Sequence, residues 1–434
     1  MELLAPAGNI ERFYTAVRYG ADAVYLGLPA FSLRNMADNF SPETLPEIIG
    51  YAHARGVKVY VTVNSFIRDG ELVELNNTLA ALRDSGADAL IVNDPAVIRL
   101  AGRIAPEMPL HLSTQANTLN SEAASFWFEQ GVKRIVLARE LTLDEIKLLR
   151  SRIPEELELE MFVHGAMCVS YSGRCLLSNY MDGRDSNRGE CVQPCRWSYE
   201  FREKGREGEY FTLEQDERGS YILNSRDMCL APYLKEIEDA GISCIKIEGR
   251  MKSILYVATA VNAYRMALDG APTEVVMKEL MRLSHRPYTT GFAFRRGPVK
   301  QGRDDESLPI EGKVSAKPTD EAETLPNYSR FYGEKPGELM EYKTGGYTQE
   351  SRISAVVLGY DREKRIAFIE QRNNFRLGDT LNILAPGDVS REFTVTRITD
   401  EAGEERDSAP HPKERLYISC PEEVSEGDIL RTDI

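Results

Sequence analysis

Residues 22–64 contain, in order, DAVYLGL (22–28), SPETLPEIIGYAHARG (41–56) and VKVYVTVN (57–64). The two outer runs are apolar and rich in β-branched and aromatic residues, as strands buried on both faces are. The middle segment has helical periodicity, with a Ser cap expected at Ser41 and a stop at Gly56. Strand, helix, strand is the unit of a parallel sheet, because parallel strands need a crossover between them.

The unit repeats in both directions. LLAPAG (3–8) and NIERFYTAVRYG (9–20) precede it. Downstream, DALIVND (88–94), LHLSTQAN (110–117), RIVLARE (134–140), LELEMFVHG (157–165) and SCIKIEGR (243–250) read as strands with helical segments between them. Pro95 stands at a first-turn position of one such helix. The eight β–α repeats over residues 1–270 fit a TIM-like (β/α)8 barrel best. A doubly wound open sheet is the alternative, but no GxGxxG follows the first strand to support a dinucleotide fold.

Beyond residue 270 the pattern changes. Residues 271–348 read as a connecting segment with a short helix, an aromatic turn and a polar stretch rich in Pro, Gly and Lys. Residues 349–434 contain six strand-like runs separated by turn residues, which predicts a small antiparallel β-barrel.

Composition is that of a globular chain, with 42% hydrophobic and 28% charged residues. The net charge of −15 argues against a generally basic nucleic-acid coat, although a local basic cleft is compatible with it. The start MELLAPA has no basic or long apolar leader, and no apolar run is long enough to span a membrane. A cytoplasmic location is therefore expected, where clustered thiols serve as ligands or catalysts rather than disulfides.

The thiols are concentrated after strand seven. Five of the seven cysteines, Cys168, Cys175, Cys191, Cys195 and Cys229, lie between residues 160 and 229. The spacing has neither the CxxC pairs usual for structural zinc nor a ferredoxin CxxCxxC run. A soft-metal or iron–sulfur site on dispersed thiolates is one reading. A solvated loop, with Arg174, Arg184, Arg188, Arg196 and Arg226 partly offset by Asp182, Asp185, Glu190 and Asp227, is the other. The insertion spans about 165–229, and its 196–224 part reads as one or two polar β-hairpins.

A (β/α)8 barrel carries its site at the carboxyl ends of its strands. Asn64, Asn93, Asp94, Gln115, Arg139, Glu140, His164, Glu248 and Arg250 stand there. His164 is a candidate general base or orienting donor, with Glu140 and Glu248 as candidate catalytic carboxylates. Arg34, Asn64, Gln115, Arg139 and Arg250 are candidate substrate-binding residues, the arginines suited to carboxylates or phosphates. Parallel strands also become polar simply on leaving the core, so each position alone has a structural explanation. Cys244 and Cys420 lie in apolar strands and read as core residues.

Glu160, Phe162, Gly165, Ala166, Cys168, Cys175 and Ser178 resemble the signature E-x-F-x-x-G-[AS]-x-C-x6-C-x2-S of the U32 family, historically labelled collagenase-like peptidases. LLAPAG, GADAVYLG, VLARE, RGECVQPCRW, SRDMC and IKIEGRMKS extend the likeness over nearly the whole chain. The resemblance implies more than the residues do by themselves. Members include proteins of RNA hydroxylation and of oxygen-independent ubiquinone hydroxylation, which carry a [4Fe–4S] cluster on four cysteines. By position the ligands here would be Cys168, Cys175, Cys191 and Cys229, with Cys195 a substitute for Cys191. Length and domain plan are most similar to the group that hydroxylates carbon 5 of a tRNA wobble uridine in the anticodon loop, with prephenate as cosubstrate. Two other readings stand beside it: a peptidase, although no HExxH, GxSxG or assignable triad is present, and an iron–sulfur scaffold or electron-transfer subunit. A homo-oligomer is compatible with the sequence.

Overall fold

The structure, a computed structural model, describes residues 1–33, 40–168, 170–171, 173–196, 201–202, 210–211, 215–216, 219–220, 225–294, 331–332 and 347–434. Eight strands form its centre: β1 (Glu2–Pro6), β2 (Ala23–Gly27), β3 (Lys58–Val63), β4 (Ala89–Val92), β5 (Leu110–Leu112), β6 (Val132–Val136), β7 (Glu158–Ala166) and β8 (Cys244–Ile247). Neighbours pair in parallel in chain order, and β8 pairs with both β7 and β1, which closes the ring. The architecture is therefore a (β/α)8 barrel and not an open sheet, which would keep two unpaired edges.

The helices between the strands are α1 (Ile10–Arg18), α2 (Leu45–His53), α3 (Leu72–Asp84), α4 (Pro95–Ile104), α5 (Ser121–Glu129), α6 (Leu143–Arg150), the short α7 (Leu177–Asp182), α8 (Leu234–Asp239), α9 (Ile254–Leu268) and α10 (Thr273–Met281). Their apolar faces and the outward faces of the strands make one large core. Asp94 caps α4 by accepting from the Ala96 amide, with Pro95 as the first helical residue. Ser41 does not cap α2. That helix starts at Leu45 with Thr44 as its N-cap, and Ser41 closes the preceding turn by accepting from the Thr44 amide at 3.1 Å. Pro46 decides the start, because its ring suits the first turn and no later position.

The segment after β7 carries α7 and two-residue antiparallel pairs, Phe201–Arg202 with Tyr210–Phe211 and Gln215–Asp216 with Gly219–Ser220. It returns to the barrel as the strand Asp227–Cys229, antiparallel to the end of β7, and Tyr288–Thr289 then pairs with that strand.

The C-terminal region is a seven-stranded antiparallel sheet: β9 (Ser351–Asp361), β10 (Ile366–Gln371), β11 (Thr380–Leu384), β12 (Arg391–Thr394), β13 (Ile398–Asp400), β14 (Arg415–Ser419) and β15 (Ile429–Asp433). Its order is β12-β11-β15-β9-β10-β14-β13. The run REFTVTRIT (391–399), one of the six strand-like runs, is split into β12 and β13, which sit at opposite edges. The sheet therefore curls into a half-barrel without closing. It rests on the first domain through buried polar contacts. Arg431, fully buried, pairs with Glu279 of α10, and Arg282 donates to Asn382 at 3.2 Å and to Ser390 at 2.8 Å. Among the described residues no helix is long and apolar enough to cross a membrane.

Candidate active site

The carboxyl ends of the barrel strands enclose a small cavity of about 80 Å³. Asn64, Gln115, Arg139, Glu248 and Arg250 line it, with Cys168 of the insertion and Lys246 of β8. Tyr25, Ile91, Val136 and Phe162 supply apolar wall. Among the described residues, three cations thus face the cavity, and Glu248 is the one lining carboxylate.

Each polar group is held by specific contacts. Arg250 is buried, and its Nη1 donates to Ser32 Oγ at 2.9 Å and to the Leu33 carbonyl at 2.8 Å. Gly27 makes room for it, since a Cβ there would lie 2.2 Å from Arg250 Nη2. Arg139 donates to the Ala166 carbonyl at 2.7 Å, stacks 3.9 Å above the Phe162 ring and lies 3.9 Å from Glu248. Asn64 accepts from the Leu33 amide at 3.1 Å and donates to Ser113 Oγ at 3.4 Å. Among the described residues the buried Gln115 Oε1 has no hydrogen-bond partner, which marks an acceptor at the cavity that a ligand donor would satisfy.

Lys246, missed in the sequence reading, donates to Glu160 at 2.8 Å, with its ammonium 4.4 Å from the Tyr25 ring centre. Its signal was a lysine inside the otherwise apolar CIKI. Below it a chain of charges fills the barrel: Arg134 reaches Glu160 at 3.6 Å and Glu2 at 2.6 Å. Burial would raise the Glu2 carboxyl, but Arg134, Tyr60 and Lys58 outweigh it and hold it at about 2.

Other candidates stand elsewhere. His164 does not line the cavity. Between Phe162 and His164 the register with β8 shifts by one residue, which breaks the alternation and turns His164 toward the helix layer. There it is buried among Tyr256, Tyr264 and Tyr288, with Nδ1 3.5 Å from the Tyr264 hydroxyl. Burial, with His285 and Lys252 adding to it, pushes the imidazole down to about 3, so it is neutral at ordinary pH. Gly165 follows at φ +107, and a Cβ there would meet the Glu248 carbonyl at 2.7 Å. Glu140 is also off the cavity; burial raises its carboxyl, and its Oε2 is buried without a hydrogen bond. Asp94 is occupied as a helix cap and by the Ile67 amide. Arg34 lies outside the described residues.

The thiols are divided. Cys168 is exposed at the cavity, while Cys175, Cys191 and Cys195 are half-buried in the insertion. The Gln193 amide and Ser178 Oγ lie 3.4 and 3.6 Å from Cys191 Sγ. Cys229 is fully buried, its sulfur 3.9 Å from both the Tyr264 hydroxyl and Met277 Sδ in the helix layer. Burial pushes its thiol up to about 11. Among the described residues no three His, Cys, Asp or Glu side chains converge as a metal site. The arrangement therefore does not fit a four-thiolate cluster that includes Cys229.

A (β/α)8 barrel with a polar, cation-rich mouth and a cysteine-bearing insertion after strand seven defines the class. The chain matches Peptidase family U32 over residues 8–302 and the Peptidase family U32 C-terminal domain over residues 349–431. It belongs to peptidase family U32. It is 35% identical to tRNA hydroxylation protein P1 of Bacillus subtilis strain 168, over 99% of this chain and 94% of that protein. Identity to tRNA hydroxylation protein P of Escherichia coli strain K12 is 34%, over 98% and 94%. A protein named collagenase from Porphyromonas gingivalis is 34% identical over 62% of this chain and 66% of its own.

Proposed function

We propose that this protein is an RNA-modifying enzyme that hydroxylates a base of tRNA, with carbon 5 of the wobble uridine as the target. The observation that carries this reading is the extent of its likeness to the B. subtilis tRNA hydroxylation protein, which runs through both domains. The mouth is chemically suited to it. A base must leave its stack to enter so small a cavity, which costs least in a single-stranded loop. Asn64 and Gln115 present amide groups to the edge of an entering base. Arg139 and Arg250, with Lys246 beneath, attract phosphate or the carboxylates of a small cosubstrate such as prephenate. Glu248 is the carboxylate placed to accept a proton there.

A peptidase reading draws on the family label and on the collagenase name. It needs a nucleophile beside a base. Cys168 is at the cavity, but none of the five histidines lines it, and His164 is enclosed behind β7. Nucleoside analysis of tRNA from a deletion strain tests the hydroxylase reading. Loss of 5-hydroxyuridine-derived nucleosides, restored by the wild-type chain and not by Arg250→Ala, is expected; unchanged nucleosides would refute it.

A further inference from the structure

The exposed face of the cysteine insertion is not used by the cavity. Four of the fourteen exposed large hydrophobic side chains among the described residues fall between 171 and 181. They are Tyr171 at 50%, Leu176 at 55%, Tyr180 at 82% and Met181 at 47% exposure. Single exposed apolar residues are ordinary, but a group of them on a short segment marks a contact surface. Arg174 is exposed between Tyr171 and Leu176 in the chain, and Arg184 follows Met181. Of the arginines in this segment, Arg184 pairs with Asp182 at 3.2 Å and Arg188 with Glu71, which leaves Arg174 as the exposed cation beside Tyr171 and Leu176 in the chain.

The segment is also continuous with the mouth. Cys168 lines the cavity, and Gly173 lies so close to the end of β5 that a Cβ would be 2.7 Å from the Gln115 carbonyl. Arg188 holds the far side by donating to the Phe66 carbonyl at 2.8 Å.

We propose that this face is the platform on which unstacked bases of a single-stranded RNA loop lie while the target base enters the cavity. Exposed tyrosines with Arg174 between them in the chain are what such a strand needs: rings to stack on and a cation for its phosphates. A fully paired stem offers neither free base faces nor the flexibility to follow the insertion. The proposal rests on the RNA reading above and goes beyond it by assigning the surface.

The test is fluorescence anisotropy of a labelled anticodon stem–loop, and of a fully paired hairpin, with the full chain at two salt concentrations. Tyr171→Ala and Tyr180→Ala should each weaken stem–loop binding by about five- to tenfold, from the usual strength of base–aromatic stacking. Arg174→Glu should also flatten the salt dependence. Phe126→Ala, which removes an exposed ring of α5, should bind as wild type, and all variants should melt as wild type does. Wild-type affinity in both tyrosine variants would overturn the platform while leaving the RNA reading intact. No binding by the wild-type chain would overturn both. Tyr180→Ala that abolishes self-association but leaves RNA affinity unchanged would overturn it too, making the face an interface between copies.

Discussion

Arg188 of the insertion reaches Glu71 at the start of α3, with Nη1 3.1 Å from Glu71 Oε2. The pair ties the insertion across the barrel mouth. The hydrogen bond from Arg188 is the main reason that the Glu71 carboxyl is held down at about 2. A carboxyl depressed in the folded state stabilises above its unfolded value, and that contribution is lost as pH falls toward the folded value. Protection of residues 173–190 against hydrogen exchange, taken relative to the intrinsic amide rate at each pH, should therefore fall between about pH 4.5 and 2. Glu71→Gln should show faster exchange already at neutral pH, with a global stability loss below about 1 kcal/mol because both partners are partly exposed. Identical exchange in variant and wild type would mean that the pair does not hold the insertion.

The Lys246–Glu160 pair lies inside the barrel, with both side chains nearly inaccessible. Lys246→Met leaves the Glu160 carboxylate with only the more distant Arg134, at 3.6 Å. Removal of one member of a buried pair costs about 3–5 kcal/mol. Urea denaturation should show a loss of that order, largely recovered in the double variant Glu160→Gln, Lys246→Met. A double variant as unstable as the single would show that packing, not charge, is at stake.

Gly27→Ala tests the seat of Arg250. The new Cβ would lie 2.2 Å from Arg250 Nη2 and 2.3 Å from Ser32 Oγ, so the guanidinium must move. Overpacking of this kind costs about 1–3 kcal/mol. A lower Tm and reduced tRNA hydroxylation are expected together. Full activity with a lowered Tm would separate the Arg250 position from function.

Iron and sulfide analysis of anaerobically purified protein checks the cluster expectation, with about four of each per chain as the result for a [4Fe–4S] protein. The resemblance implies loss of iron in Cys168→Ala, and the packing of the Cys229 thiol against Tyr264 and Met277 predicts retention in Cys229→Ala. Loss in both would mean that the strand Asp227–Cys229 turns its sulfur toward the mouth when metal binds.

Much of the barrel was legible because its signals are local. The alternation of apolar runs with capped amphipathic segments named the strands and helices, and chain order became sheet order. Asn64, Gln115, Arg139, Glu248 and Arg250 were readable for the same reason: a polar residue that ends a barrel strand stands at the mouth. His164 and Lys246 were misjudged or missed because side-chain direction is not local. Period-two alternation puts His164 on the Phe162 face, but one extra residue opposite β8 reverses it. Lys246 looked like part of a core strand until Glu160, distant in the chain, was seen to neutralise it.

The sequence by itself therefore determined the repeat, the family and the concentration of thiols after strand seven. These depend on the order and spacing of residues along the chain. Only the tertiary structure decided that β8 meets β1, that Cys168 faces the cavity while Cys229 faces the helices, and that Arg188 crosses the mouth to Glu71. Those are relations between groups far apart in the chain, created when strands close into a ring and a register shift sets which way each side chain points.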